Sequence, residues 1–356
     1  MSVKLSFNKV EIYGSGLIGT SIALALASLG VEVRMIDSDK RAEALAQNLV
    51  GPMPSPPFMP ELVISAVPIS AFTSVISELE RRDFKGAFID VASVKTKVKV
   101  EVSTSKLDNE RFLPTHPMAG REVGGAESAR SDLFQGRAWI IDSTGVEDEV
   151  VATAKELIAA LGADLIDLPV TEHDQAVALI SHLPQVIASL LAKQLSGNPD
   201  GWLSLAGSGL RDTTRIAGSD PKLWREIIAA NSASIKPLLK KFGEDLSAFI
   251  DVIGDEAAVE EMISDGQIGR AAIPGKHGGK VREYAYLPIV IEDKPGQLAA
   301  IFNECARANV NIEDLSIEHS PGQETGLITL AISPTDLGKL SDHLLKAGWS
   351  VHAPRA

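Results

Sequence analysis

Cysteine is almost missing: Cys305 is the only one in 356 residues. An intrachain disulfide is therefore impossible, and such usage fits a reducing, intracellular setting. Basic side chains are in the minority, 34 against 47 acidic, for a formal net charge of −13. This disfavours nucleic acid and anionic membranes as general partners, although an anionic small molecule can still enter a locally basic pocket. No uninterrupted apolar stretch reaches bilayer-spanning length, and no charged–apolar–small-residue leader opens the sequence. No His/Cys cluster has metal-ligand spacing. Together these absences predict a soluble, cytoplasmic protein that works without a bound metal.

What is present begins with length. A chain of 356 residues, 45% of them hydrophobic, exceeds what one core usually supports, so two or three domains are expected. Up to residue 170, short runs rich in Val, Ile and Phe ("KVEIY", "VEVRMID", "LVISAVP", "GAFIDVAS", "RFLPTHP", "AWIIDST") alternate with stretches of helical spacing such as "IGTSIALALASLG". That alternation predicts a mainly parallel, doubly wound α/β sheet of Rossmann type over 1–170. After that the strands stop. Thr171 to Asp174 forms a capping-box pattern ahead of "AVALISHLPQVIASLLAKQL", and Pro184 inside that pattern predicts a kink beside His182. Asp220 with Pro221 predicts another helix start. From there Leu223, Ile227, Ile235, Leu238, Phe242, Leu246, Phe249 and Ile253 form a long apolar stripe that needs a large partner surface, for which a second subunit is a candidate. An all-helical domain is thus expected over 171–270, followed by a Gly-rich linker over 271–282. Residues 283–356 read as βαββαβ, a ferredoxin-like unit.

The strand–turn–helix at Gly14-Ser15-Gly16-Leu17-Ile18-Gly19 is a dinucleotide fingerprint. Gly14 permits the tight turn, Gly16 lets the backbone approach a pyrophosphate, and Gly19 lets helix lie close on strand. Asp37 ends the next strand, where its carboxylate would accept from a ribose 2′-hydroxyl and repel a 2′-phosphate. NAD is favoured over NADP, with Arg34 and Arg41 nearby keeping dual use open. Val67, Pro68 and Ser93 fall at later strand ends, the ligand edge of such a sheet, as an apolar wall and a hydroxyl near the nicotinamide. Ser93 is equally placed to cap the helix after it. His116, in "THPMAGRE", follows another strand of that sheet on a turn stiffened by Pro117 and Gly120. An imidazole there can take the proton of a hydroxyl whose carbon gives up hydride.

In this order, "GSGLIG", "DVASVK", "THPMAGRE", "ISHLPQ" and "GLRDTTRIAGSDPKLW" resemble the prephenate dehydrogenases of tyrosine biosynthesis, including arogenate-using relatives. The terminal unit, with "IEDKPGQLAAIF" and "NVNIEDLSIEH", looks like an ACT domain. The resemblance implies oxidative decarboxylation of prephenate to 4-hydroxyphenylpyruvate with NAD taking the hydride. It implies that His116 assists deprotonation of the ring hydroxyl while Ser93 orients the imidazole. His182 matches a substrate-pocket position and Arg215 the carboxylate binder, with Arg211 a second candidate cation. Glu122, Asp212 and Trp224 match positions near the pocket or dimer interface, and Arg121 departs from the smaller residues of some relatives. In the terminal unit, Asp293, Pro295, Gly296, Asn311 and Ile312 form a candidate site for feedback control by tyrosine. Arogenate as substrate, and a non-catalytic NAD- and amino-acid-sensing protein, remain alternatives at this point.

Overall fold

Runs rich in branched and aromatic residues form the strands expected of them. The computed structural model describes residues 5–120, 124–199, 201–273, 284–319 and 325–353. Its strands β1 (Lys9–Tyr13), β2 (Glu32–Ile36), β3 (Leu62–Ser65), β4 (Ala87–Asp90), β5 (Phe112–Pro117), β6 (Ala138–Ile141) and β7 (Asp164–Asp167) form one sheet in the order β2-β1-β3-β4-β5-β6-β7. All neighbours are parallel except β5 and β6. The chain order reverses between β1 and β3, which makes a crevice at their carboxyl ends. β7 was not among the expected strands: all four of its residues are exposed at the sheet edge, so no burial pattern marks it.

Successive residues of the inner strands serve opposite faces. Val10, Ile12, Leu62, Ile64 and Ile89 pack with residues of α1 (Leu17–Ser28), α2 (Lys40–Val50) and, later in the chain, Val150, Leu157 and Ile158. Tyr13, Val63, Phe88 and Phe112 pack instead with α3 (Phe72–Arg81) and α4 (Lys95–Ser103). This period-two division is why strands buried on both faces read as unbroken apolar runs. Val150, Leu157 and Ile158 belong to α5 (Asp148–Ala160).

Two expectations for the helical region change. The next helix, α6 (Val170–Val177), has Pro169 as N-cap and no side-chain cap, so Thr171–Asp174 is not a capping box for it. Asp174 caps a different helix: its carboxylate accepts from Lys95 N and Thr96 N, the first turn of α4. A π-helical turn, Ala178–His182, then joins α6 to α7 (Leu183–Lys193), the break expected before Pro184. Taken together, Val170–Lys193 is long and apolar enough to cross a membrane by length and composition, contrary to the sequence expectation. Its polar residues are buried and bonded, His173 and Asp174 to the sheet domain and His182 to Asn231, as in the core helix of a folded domain.

After α8 (Ser208–Thr214), the Asp220 cap and Pro221 open α9 (Pro221–Ala230) as predicted, Asp220 accepting from Lys222 N. The apolar stripe is not one helix. It is interrupted at Asn231 before α10 (Ser232–Val252) and α11 (Glu256–Ala271). Ile227 and Ile235 are buried, whereas Leu223, Phe242, Leu246 and Ile253 remain exposed.

The chain divides into two units between Ala248 and Phe249. In the second, β8 (Ala285–Glu292), α12 (Gln297–Arg307), β9 (Asp314–His319), β10 (Thr325–Ile332), α13 (Leu337–Lys346) and β11 (Ser350–Val351) realise the βαββαβ order. Its antiparallel sheet runs β11-β8-β10-β9 over a core that includes Leu287, Ile301, Ile328, Leu340 and Cys305. Burial pushes the Cys305 thiol pKa up, so this lone cysteine stays protonated and inert.

Candidate active site

The glycine turn closes the crevice between β1 and β3. Gly14 has φ +102, and a Cβ there would lie 2.3 Å from Ala66 O. A Cβ on Gly19 would lie 2.1 Å from Gly14 O, so these two glycines are demanded by the fold itself. Gly16 differs: a Cβ would meet nothing within 4 Å. It is the N-cap of α1, which has no side-chain cap, so the first-turn N–H groups of Leu17, Ile18 and Gly19 are available to an anion. The buried Ser15 hydroxyl also has no partner among the described residues. An open glycine, uncapped amides and an orphaned hydroxyl suit a pyrophosphate.

Asp37 stands beside this turn, accepting from Ser15 N at 2.7 Å and Asp39 N at 2.9 Å. The nearby cation Arg34 is committed elsewhere. It pairs with Glu11, a fully buried carboxylate that also holds Arg82, and its guanidinium lies 4.6 Å over the Phe58 ring. Arg34 is thus drawn into β1 pairing, which leaves Asp37 as the anion at the strand end. Val67 packs against the Tyr13–Phe72 cluster and Pro68 is exposed ahead of a short 3₁₀ turn.

His116 lies within β5, not on the turn after it. β4 ends its pairing at Pro114, while β5 continues through Thr115, His116 and Pro117 against β6, so His116 sits where the strand outruns its neighbour. The segment is firmly held: Thr115 Oγ1 donates to Asp90 O and accepts from Trp139 Nε1, and the buried Lys95 ammonium donates to Thr115 O and to Asp90. Burial pushes the Asp90 carboxyl up and the Lys95 ammonium down, against their mutual attraction.

The imidazole is oriented by a group the sequence reading missed. His116 Nδ1 is 2.9 Å from His173 Nε2, and His173 Nδ1 is 2.8 Å from Asp174 Oδ1. Ser93, expected in that role, makes no hydrogen bond to His116 among the described residues, and Val94 rather than Ser93 is the N-cap of α4. Burial works to raise the Asp174 pKa, but bonds from His173, Lys95 N and Thr96 N outweigh it and hold the carboxyl below its usual range. An ionised Asp174 accepts from His173 Nδ1–H. His173 Nε2 then accepts from His116 Nδ1–H, which leaves a lone pair on His116 Nε2. Desolvation, then the neighbouring His173, Lys95 and His182, push the His116 pKa well below the histidine range. The ring is therefore a neutral acceptor at neutral pH.

Three models of protein families match: "Prephenate dehydrogenase, nucleotide-binding domain" over residues 22–167, "Prephenate dehydrogenase, dimerization domain" over 169–264, and "ACT domain" over 286–346. A probable prephenate dehydrogenase, NovF, of Streptomyces niveus is 30% identical over 357 residues, covering 96% of this chain and 99% of that protein. The chain belongs to the prephenate dehydrogenase family. A cyclohexadienyl dehydrogenase of Zymomonas mobilis is 28% identical, covering 76% of this chain and 98% of that one. A crystal structure of the A. aeolicus prephenate dehydrogenase with hydroxyphenyl propionate and NAD+ matches at TM-score 0.68 and 25% identity, over 76% of this chain and all (100%) of that chain.

Within this family member, His182 is buried beside the relay. Its ring stands edge-on to Trp224, 6.0 Å between centroids, and desolvation lowers its pKa to about 4. Arg211, Asp212 and Arg215 lie exposed on α8 and the 3₁₀ turn after it. That turn is tethered to α7 by Gln185 Nε2 donating to Ile216 O at 2.9 Å. Arg121 and Glu122 lie outside the described residues. In the ACT domain, Asp293, Pro295 and Gly296 line a pocket of about 350 Å³ with Ile291, Leu298 and Ile317 at the start of α12. Asn311 and Ile312 are not part of it. They precede β9, whose first residue Asp314 pairs with Ala331 at the sheet end opposite Glu292, and Asn311 is bonded to Glu313.

Proposed function

We propose that this enzyme converts prephenate to 4-hydroxyphenylpyruvate, with arogenate as the alternative substrate. The observation that carries the reading is the His116–His173–Asp174 relay, which leaves an acceptor nitrogen on the strand that outruns β4. NAD, held by the Gly14–Gly19 turn, the α1 amides and Asp37, supplies the acceptor for hydride from the hydroxyl-bearing ring carbon. As that carbon becomes electron-poor its hydroxyl turns acidic, and His116 Nε2 accepts the proton. The imidazolium so formed keeps its Nδ1–H bond to His173, with the Asp174 charge behind it, as in other relays of this logic. Loss of carbon dioxide returns an electron pair to the ring, and the proton goes back to the phenolic oxygen. No proton is consumed overall, so a transient acceptor of low basicity suffices.

On this reading Arg215 grips a substrate carboxylate through two parallel hydrogen bonds, with Arg211 nearby. The exposed Leu223, Phe242, Leu246 and Ile253 support a homodimer built on the dimerization domain. The pocket at Asp293, Pro295 and Gly296 supports tyrosine as feedback effector, Asp293 meeting its ammonium and the α12 amides its carboxylate. The test is NADH absorbance with prephenate and with arogenate, each with NAD and NADP, with and without tyrosine. The proposal expects prephenate and NAD to give the highest kcat/KM, and tyrosine to lower it. Activity undiminished in His116→Ala would overturn the assignment of His116, and calorimetry with no heat from tyrosine would remove the effector.

A further inference from the structure

Asn231 is a buried amide between α9 and α10, and its contacts fix its orientation. Its Nδ2 is 2.7 Å from Asp174 O and 3.1 Å from His182 Nδ1. A carbonyl oxygen only accepts, so the group facing it is the NH₂ and not the amide oxygen. The second N–H of that same nitrogen points at His182 Nδ1, which must therefore accept. The ring proton of neutral His182 then resides on Nε2, and Nε2 makes no hydrogen bond among the described residues. Asp174 is common to both arms of the site. Its carboxylate acts through His173 on His116, and its backbone carbonyl acts through Asn231 on His182. The two imidazoles are held in opposite tautomers, one presenting a lone pair and the other an N–H.

We propose that Asn231 is a positioning residue that holds His182 as an Nε2–H donor to a carboxylate of the substrate, opposite the acceptor on His116. The proposal rests on the reading of the substrate given above. A neutral donor recognises a carboxylate without placing a second buried cation beside Lys95. It also explains why the apolar stripe is interrupted at this position: the amide is drawn inward to α6 and the π-helical turn.

The test combines Asn231→Ala, Asn231→Asp and His182→Gln with ring ¹⁵N NMR. A carboxylate at 231 only accepts, so it demands a proton on His182 Nδ1. A glutamine at 182 offers an N–H near the Nε2 position without help from Asn231. Asn231→Ala and Asn231→Asp are expected to raise KM for prephenate about tenfold, the loss of one hydrogen bond to a charged acceptor, with kcat within about threefold and KM for NAD unchanged. In the His182→Gln background, Asn231→Ala should add no further rise. Wild-type His182 should have Nε2 protonated and Nδ1 bare, a readout that needs no substrate and survives even if the variants fail to fold. A proton on Nδ1 in the wild type, an unchanged KM in folded Asn231→Ala, or an equal KM penalty in the Gln background would overturn the proposal. If the wild type turns over neither prephenate nor arogenate, the substrate reading fails, while the NMR result still decides the tautomer.

Discussion

Replacing Asp174 by Asn is the sharpest perturbation of the relay. The native carboxylate accepts three hydrogen bonds, from His173 Nδ1 at 2.8 Å, Lys95 N at 2.8 Å and Thr96 N at 2.9 Å. An amide has one oxygen, so one side must become donor against donor. With its oxygen toward His173, the NH₂ meets Thr96 N–H, and the lost cap costs about 1–3 kcal/mol of stability. With the amide reversed, the NH₂ forces the His173 proton onto Nε2. His116 Nδ1 must then accept, its own proton moves to Nε2, and the acceptor is gone. General-base assistance contributes about 10²–10⁴ in rate, so in this second arrangement kcat should fall about a hundredfold or more while KM for NAD stays within about twofold, whereas the first arrangement spares kcat. His173→Phe separates the two effects, because it removes the relay and leaves Asp174 capping α4. It should reproduce the loss of kcat without the loss of the cap. The assay is NADH absorbance at saturating prephenate, with circular dichroism to establish folding. Folded His173→Phe retaining kcat within about threefold of wild type would refute the relay.

Three further outcomes follow from the same geometry. Gly19→Ala forces a Cβ against Gly14 O and should cost about 1–3 kcal/mol in thermal melts, whereas Gly16→Ala, with open space around it, should leave Tm unchanged and raise KM for NAD. Asp37→Ser should weaken NAD about tenfold and narrow its advantage over NADP, since the repelling charge is gone and Arg34 stays on Glu11; an unchanged cofactor ratio would count against Asp37 as the ribose ligand. His182 titrates near 4 when folded and 6.5 when unfolded, so the unfolded chain binds the extra proton between these values and stability falls as pH drops through that window. The fall is about 3 kcal/mol at most between pH 7 and 4, and urea melts of His182→Gln should lack that part.

The nucleotide crevice was legible because its requirements are local. Gly14 and Gly19 are dictated by contacts within one turn and with the end of the neighbouring strand β3, and strands buried on both faces advertise themselves as apolar runs. β7 was illegible for the converse reason: an exposed edge strand has no buried face to pattern. The motif around His116 was likewise readable, but its neighbours were not. His173 and Asp174 look like the polar first turn of an apolar helix, and the local rule assigned Asp174 to the wrong cap. His173 meets His116 across 57 residues of chain, and Asn231 meets His182 across 49.

The order of residues by itself determined the buried strands, the glycine turn and the positions of the imidazoles, since each depends on steric and apolar preferences within a short segment. Where the protons sit on those imidazoles was decided only by packing. A histidine has no preferred tautomer strong enough to resist its surroundings. His116 became an acceptor and His182 a donor because α6 laid one aspartate against the start of α4 and the break after α9 brought an amide to its carbonyl.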